Sequence, residues 1–450
     1  MRSSRLVPVL LAALSGCVPK VPQRLPGRVG GDAFATVTFA QAEGETRAEP
    51  AAGTLTLAAA FERALARNEQ LSLAERDIIS AEIRYRAAYD AIRPNVSLEA
   101  TGVLQREQKV GTNVLRPGQR VVGGAVIQQP LFRKGVFAAR AAGQRAQQSA
   151  DATRLRAREE LARDVAEVFI TVLRSRKLLE LAGTAVGRAK TQYDLAVGRF
   201  KVGQSLKNAE LLALIDLRRA ELQAVTAQRD ADAASVAFAR LVGQLPPATL
   251  EMPASPALPA PAQAIALARK RADLRALEHT VAAATSEEEF AEGQRWWPQL
   301  DLEAGVQVFS PEVLQSNYDW SVVGRLTVPL VQRGTEVTEI ALRRNAVHVA
   351  ALELEVQRKI VVEEIEQAAI RVDSAAKAAV IAEKQLETAR EHYKLVDKQV
   401  RLGAITFLEV TNAQAVLVEA ENAFEIASMD RMLAAYDYLY AIGDGDLAKR

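Results

Sequence analysis

The chain has 450 residues, 49% of them hydrophobic, and its 57 basic and 55 acidic side chains nearly cancel, leaving a net charge of +2. That balance leaves no electrostatic footprint for nucleic acid. The length allows a large core or two halves, and a single cysteine excludes an internal disulfide or a thiolate metal site.

At the N-terminus, Arg2 and Arg5 precede a short apolar run, Leu6 to Leu14, of secretory-signal rather than membrane-spanning length. The run ends in Leu14-Ser15-Gly16-Cys17, which is similar to a bacterial lipobox. Residues 1–16 are therefore expected to be a signal peptide, and Cys17 the lipid attachment site and mature N-terminus. Val18 follows, not the aspartate that often holds such lipoproteins at the inner membrane, which favours the outer membrane. Residues 17–53, rich in Pro, Gly and Ala, read as a tether. No later stretch approaches the ~18 apolar residues of a spanning helix, so any crossing of a membrane has to be made by strands.

The remainder is written twice. Ala64-Leu65-Ala66-Arg67 recurs as Ala266-Leu267-Ala268-Arg269, and Arg93-Pro94 through Ala100 as Trp297-Pro298 through Ala304. Pro130-Leu131, Tyr193, Gly203 and Gly243 recur as Pro329-Leu330, Tyr393, Gly403 and Gly443, a steady offset of about 200 residues. Repeat 1 spans 54–245 and repeat 2 spans 262–443, with a Pro-rich linker at 246–261 and a C-terminal tail at 444–450. Each repeat is expected to run helix, two strands, very long helix, tip turn, helix.

The strands are placed at about 95–105 and 120–129, then 299–308 and 319–328. Pro94 and Pro298 end the helices before them. Val96, Leu98, Ala100, Gly102 and Leu104 alternate with Asn95, Ser97, Glu99 and Thr101; Leu300, Leu302, Ala304, Val306 and Val308 alternate with Gln299, Asp301, Glu303 and Gln307. Trp320, Val322, Leu326 and Val328 oppose Ser321, Arg325 and Thr327, whereas Val121 to Gln129 alternates poorly. Segments of about ten residues with this period suit a membrane barrel, and a half-buried soluble sheet has the same period. Trp296, Trp297 and Trp320 at strand ends and the polar stretches Arg106 to Gln119 and Phe309 to Tyr318, expected as external loops, favour the barrel. Four strands cannot close one, so the chain has to oligomerise; two, three or four copies all satisfy that requirement.

The long helices follow from what is missing. No proline lies between Leu131 and Leu245 or after Leu330, so helices well over fifty residues long are expected, on the order of 90–100 Å. A strict heptad confirms their face: Ile365, Val372, Ala379, Leu386, Tyr393 and Val400, with Ala368, Ala375, Ala382, Ala389 and Val396 three positions after. Repeat 1 has Val165, Val172, Leu179, Val186, Tyr193 and Phe200, with Val168, Ser175, Ala182, Ala189 and Ala196. His279, His348 and His392 lie far apart on helices without metal-ligand spacing, and no Gly-rich phosphate loop follows a strand, so neither an enzyme nor a cofactor or metal site is expected.

At this point the chain resembles the TolC family of outer-membrane efflux proteins over essentially all of its mature length. The resemblance rests on Gln129-Pro130-Leu131-Phe132 with Gly135, and on Arg401-Leu402-Gly403-Ala404-Ile405-Thr406 followed by Glu409-Val410 and Ala413-Gln414. Arg199-Phe200-Lys201-Val202-Gly203-Gln204-Ser205 is the counterpart in repeat 1. It implies a mixed α/β membrane protein: a homotrimer whose twelve strands, four per chain, form one β-barrel continued by an α-helical coiled-coil tunnel. It further implies that the tips, 199–206 and 401–406, dock on a periplasmic adaptor joined to an inner-membrane transporter. The docking candidates are Arg199, Val202, Gly203, Ser205, Arg401, Leu402, Gly403 and Thr406, and Glu409 is the candidate for an acidic ring at the tunnel gate. The first tip departs from the pattern: Ser205-Leu206-Lys207-Asn208-Ala209 lacks the acidic position, with Glu210 only nearby. The expected function is the exit duct of a tripartite efflux or type I secretion system. The competing reading is a periplasmic coiled-coil structural lipoprotein without a pore.

Overall fold

The computed structural model describes residues 53–444 apart from 91, 107, 111–112, 117–118, 314–315, 329–333 and 403. The signal segment, Cys17, most of the tether, Gly403 and nearly all of the tail lie outside the described residues. Repeat 1 runs β1 (Thr54–Leu55), α1 (Leu57–Arg67), α2 (Glu69–Asp90), β2 (Asn95–Leu104), β3 (Gln108–Val110), β4 (Asn113–Arg116), β5 (Gln119–Phe132), α3 (Lys134–Lys201) and α4 (Lys207–Val242). Repeat 2 runs α5 (Pro261–Ala268), α6 (Ala272–Trp296), β7 (Gln299–Val313), β8 (Ser316–Thr327), α7 (Thr335–Arg401) and α8 (Phe407–Ile442), with β6 (Thr249–Leu250) between the halves. The duplication is close in length: α3 has 68 residues and α7 has 67, while α4 and α8 have 36 each.

Two compact units emerge, one of residues 76–152 and 275–355, the other of 53–75, 153–274 and 356–444. The first carries a four-stranded antiparallel sheet in the order β2-β5-β7-β8. In the second, α1, α3, α4 and α8 meet around Phe61, Val165, Phe169, Val172, Phe238, Tyr436 and Leu439. Phe169 and Phe238 pack as a tilted pair with centroids 6.3 Å apart, and this core joins both repeats.

The heptad residues bury as their period demands. Leu386 and Ala389 pack on Leu417 and Ala420, and Val396 and Val400 on Val410 and Ala413. In repeat 1, Ala189 packs on Leu217 and Ala220. Alanine at these positions lets each long helix approach its return helix closely. Phe200 departs from the expectation: it is exposed at the end of the seam, with the Lys207 ammonium 5.1 Å from its ring centroid.

Four local expectations are corrected. The opening helix of each repeat is two helices. Asn68 ends α1 in extended geometry, and its Oδ1 accepts the Leu71 amide at 2.9 Å to start α2. The linker at 246–261 is not all linker: Thr249 and Leu250 pair in parallel with Thr54 and Leu55, and Pro261 opens α5. The stretches expected as external loops are partly strand, since β7 and β8 pair again at Val313 and Ser316 and β3 pairs with β4. Trp320 consequently lies within β8, opposite Val306, not at a strand end.

Candidate functional site

Two regions carry the residues singled out by sequence: the sheet and the two tip turns. The sheet's register aligns its alternation across all four strands. Val96, Ile127, Ala304 and Val322 form one row; Leu98, Ala125, Val306 and Trp320 the next; Ala100, Gly123, Val308 and Tyr318 a third. The opposite face carries Ser97, Val126, Gly305 and Ser321, then Glu99, Gly124, Gln307 and Asp319. A soluble half-buried sheet would cover the first face, and here it is open: Leu98 is 86% exposed and Trp320 68%. A contiguous apolar patch of this kind marks an interaction or membrane surface.

The irregular strand has a physical cause. β5 lies between β2 and β7 with Gly123-Gly124 at its centre. A Cβ on Gly124 would fall 2.4 Å from the Val306 carbonyl oxygen, so the close approach of β7 excludes a side chain there. Glycine removes the alternation by which sequence would have recognised the strand.

Gly203 ends α3 at φ 74, a conformation open to glycine. Its amide donates to Phe200 O at 3.0 Å and the Gln204 amide to Arg199 O at 2.8 Å, satisfying the last carbonyls of the helix. In repeat 2 the equivalent bond runs from the Ala404 amide to Gln399 O at 2.9 Å, and Arg401 is the last residue of α7. The apolar candidates stand in the open: Leu402 is 83% exposed, and Val202, with its neighbour Leu206, is exposed too. The polar ones differ. Arg199 is drawn inward, its Nη2 donating to Val400 O at 2.7 Å, so it joins the ends of the two long helices. Ser205 is half-buried with its Oγ unbonded among the described atoms, and Thr406 precedes α8 without a side-chain cap bond. Glu409 is exposed in the first turn of α8.

Sequence reasoning missed the polar links between the repeats. Arg188 grips Glu421 with both guanidinium nitrogens, at 3.2 and 2.6 Å. Gln192 donates to Asp397 at 3.1 Å, and the Thr411 hydroxyl to Asp216 at 2.6 Å. Gln192 is buried between Ala189 and Ala196, and a lone amide in an alanine seam was the available signal. Among the described residues, no group of His, Cys, Asp and Glu is placed to hold a metal. His348 and His392 are exposed and His279 half-buried. No helix of the described residues is long and apolar enough to cross a membrane.

The family model for outer membrane efflux proteins matches residues 60–244 and again 265–442, one match per repeat. The chain belongs to the outer membrane efflux protein family. Membership gives it a general class, an outer-membrane efflux channel, and a family made of channels rather than enzymes. Among solved structures it superposes on CusC with a TM-score of 0.77 at 17% identity, covering 86% of this chain and 92% of that one. VceC of Vibrio cholerae gives 0.74 at 18%, covering 86% and 96%. The open state of the MtrE channel of Neisseria gonorrhoeae gives 0.74 at 21%, covering 86% and 89%. No curated protein is a significant match by sequence.

Proposed function

We propose that the chain is the outer-membrane exit duct of a tripartite efflux or type I secretion system, working as a homotrimer. The observation that carries this reading is the open apolar face of a sheet whose outer strands, β2 and β8, have no further partner among the described residues. Open edges are not tolerated in lipid. β8 of one copy runs antiparallel to β2 of the next, so copies can continue the sheet around a ring, and three copies make a twelve-stranded barrel.

The spacing of aromatic residues supports a lipid-facing band. Trp297 precedes β7, and Trp320 pairs with Val306 nine positions further along it. Nine residues span ~30 Å of strand, or roughly 23 Å along the barrel axis at a tilt of ~40°, close to the apolar band of outer-membrane barrels. Tip docking on a periplasmic adaptor would use Leu402, Val202 and the turns at Gly203 and Gly403; the inward bond of Arg199 makes it a positioning residue of the tip. Glu409 would supply one acidic ring near the gate, and Cys17 the lipid anchor. Mass measurement of the detergent-solubilised protein tests the assembly: three protomers are expected, and a monomer or dimer under native conditions contradicts it. Palmitate labelling, expected for the natural chain and absent in Cys17→Ala, checks the anchor; continued labelling of the variant excludes it.

A further inference from the structure

Each repeat places a cation over an aromatic ring at the foot of its first long strand. The residue before the strand-opening proline belongs to the pair both times, with the partners exchanged. In repeat 1, Arg93, before Pro94, lies with its Cζ 5.4 Å from the Tyr89 ring centroid. In repeat 2, Trp297, before Pro298, lies under Lys134, whose Nζ is 3.9 Å from the ring centroid. Both rings remain open, Tyr89 at 43% and Trp297 at 44% exposure.

Apolar side chains surround the second pair. Phe132 packs against Trp297 with centroids 6.3 Å apart, and Leu131, Phe132 and Phe137 are all exposed. Further cations stand beside them. Arg140 lies 5.7 Å from the Tyr89 centroid and donates to Tyr85 Oη at 3.2 Å, while Arg133 pairs with Asp301 at 2.9 Å. Arg93 pairs with Asp90 at 3.1 Å. Lys134 has no carboxylate partner among the described residues. Four cations thus face two carboxylates in these contacts, and the one against the most open apolar ground carries no counter-charge.

Water is a poor solvent for exposed Trp, Phe and Leu, and hydrocarbon is a poor one for an ammonium. The boundary between them accepts both, because amphipathic side chains place a ring or stem in the apolar layer and a polar tip in the headgroups. A zwitterionic surface would leave the excess positive charge unmatched. We propose that this foot of the sheet binds anionic glycerophospholipid, with Lys134 taking the phosphate and the acyl chains lying along Leu131, Phe132 and the open apolar face. The site rests on the membrane reading above and adds a lipid class to it.

The test uses the full chain with Trp296→Phe and Trp320→Phe, so that Trp297 is the only fluorophore of its kind, reconstituted in phosphatidylcholine vesicles. Brominated phosphatidylglycerol or brominated phosphatidylcholine is added at equal mole fraction, and quenching of Trp297 reads local lipid occupancy. A basic residue near an anionic surface adds about five-fold in affinity, so a preference of about that size for the brominated phosphatidylglycerol is expected, shrinking in high salt. Lys134→Gln should lose the preference and Lys134→Arg keep it, while free glycerol phosphate should not compete. Equal quenching by the two lipids in the protein with native Lys134 overturns the proposal and leaves the membrane reading intact. Absence of quenching by either lipid overturns both. If Lys134→Gln does not insert, the protein with native Lys134 still decides by showing or lacking the preference for phosphatidylglycerol.

Discussion

Arg271 occupies the space that a side chain on Gly443 would need: a Cβ there would fall 2.6 Å from Arg271 Cγ. Gly443 ends α8 at φ 82, and Arg271, almost wholly buried, donates to Ala441 O at 2.8 Å, to Glu364 at 2.7 Å and to Asp273 at 2.7 Å. Repeat 1 has a looser version, with Arg67 donating to Gly243 O at 3.1 Å from an exposed position. Arg271→Ala takes from partly buried Asp273 the cation bonded to it, leaving the Leu274 amide, the Gln357 side chain and the charge of Arg156, and it should destabilise the helical unit by about 1.5–3 kcal/mol. Thermal melts followed by circular dichroism check this, and Gly443→Ala should cost more than Gly243→Ala, because Arg67 can swing away. Equal melting points for the two glycine variants contradict the packing argument.

The same unit should be most stable in mild acid. Burial pushes the Asp437 carboxyl up against the pull of Arg163 and Arg371, and burial likewise pushes Glu425 up against the opposing charge of Lys177. The folded chain then holds these protons longer than the unfolded chain, whose aspartate titrates near ~3.9, so stability rises as pH falls through the interval between the two values. Asp273 acts in the opposite sense. Burial disfavours its charge, but the hydrogen bond and charge of Arg271 outweigh burial and hold its carboxyl below the usual range. Its contribution is complete above the unfolded value and is lost as pH falls through the folded one. Melting temperature against pH should therefore rise from neutral into mild acid and fall at stronger acid. Asp437→Asn should raise stability at neutral pH and flatten the rise; an unchanged profile would remove Asp437 from the explanation.

Leu402→Asp, alone or with Val202→Asp, should abolish cross-linking to the periplasmic adaptor while leaving the purified oligomer intact. Both side chains are exposed at the turns and make no core contact whose loss would unfold the chain. Gly403→Trp should have the same effect through the turn itself. Retained cross-linking and transport in these variants would show that the tips are not the docking surface.

Glu409 should give the channel a modest preference for cations, since a ring of carboxylates lowers the barrier for cations and raises it for anions. Single-channel reversal potentials in a salt gradient check this. Glu409→Gln should move the reversal potential toward zero; an unchanged reversal potential would place the selective ring elsewhere.

The long helices were legible because they rest on a repeated local pattern: Leu386, Ala389 and Val396 recur in register, and each finds the return helix. The sheet was legible where both faces differ, as in β2 and β7, and faint in β5, where Gly124 exists for a contact with Val306 that is remote in sequence. Extension of the hairpin beyond Val308 hid Trp320's place within β8, because Ser310-Pro311-Glu312 breaks the apolar alternation and reads as a loop. Arg271 was invisible for another reason. The repeat aligns Arg67 with Arg269, yet the residue under Gly443 is two positions later, so the duplicated function moved off the duplicated position. Links such as Arg188 to Glu421 join the halves, and no pattern within either half can specify them.

Planar-bilayer recording of the purified, reconstituted protein tests the duct most directly. Discrete conductance steps are expected from a closed ring of strands continued by a helical tunnel, with the steps lost when Leu98→Asp and Val306→Asp place charge on the row that the proposed barrel turns toward lipid. Protein that stays bound to vesicles through its lipid yet passes no current under any voltage or salt condition would contradict the account and point to a scaffold without a pore.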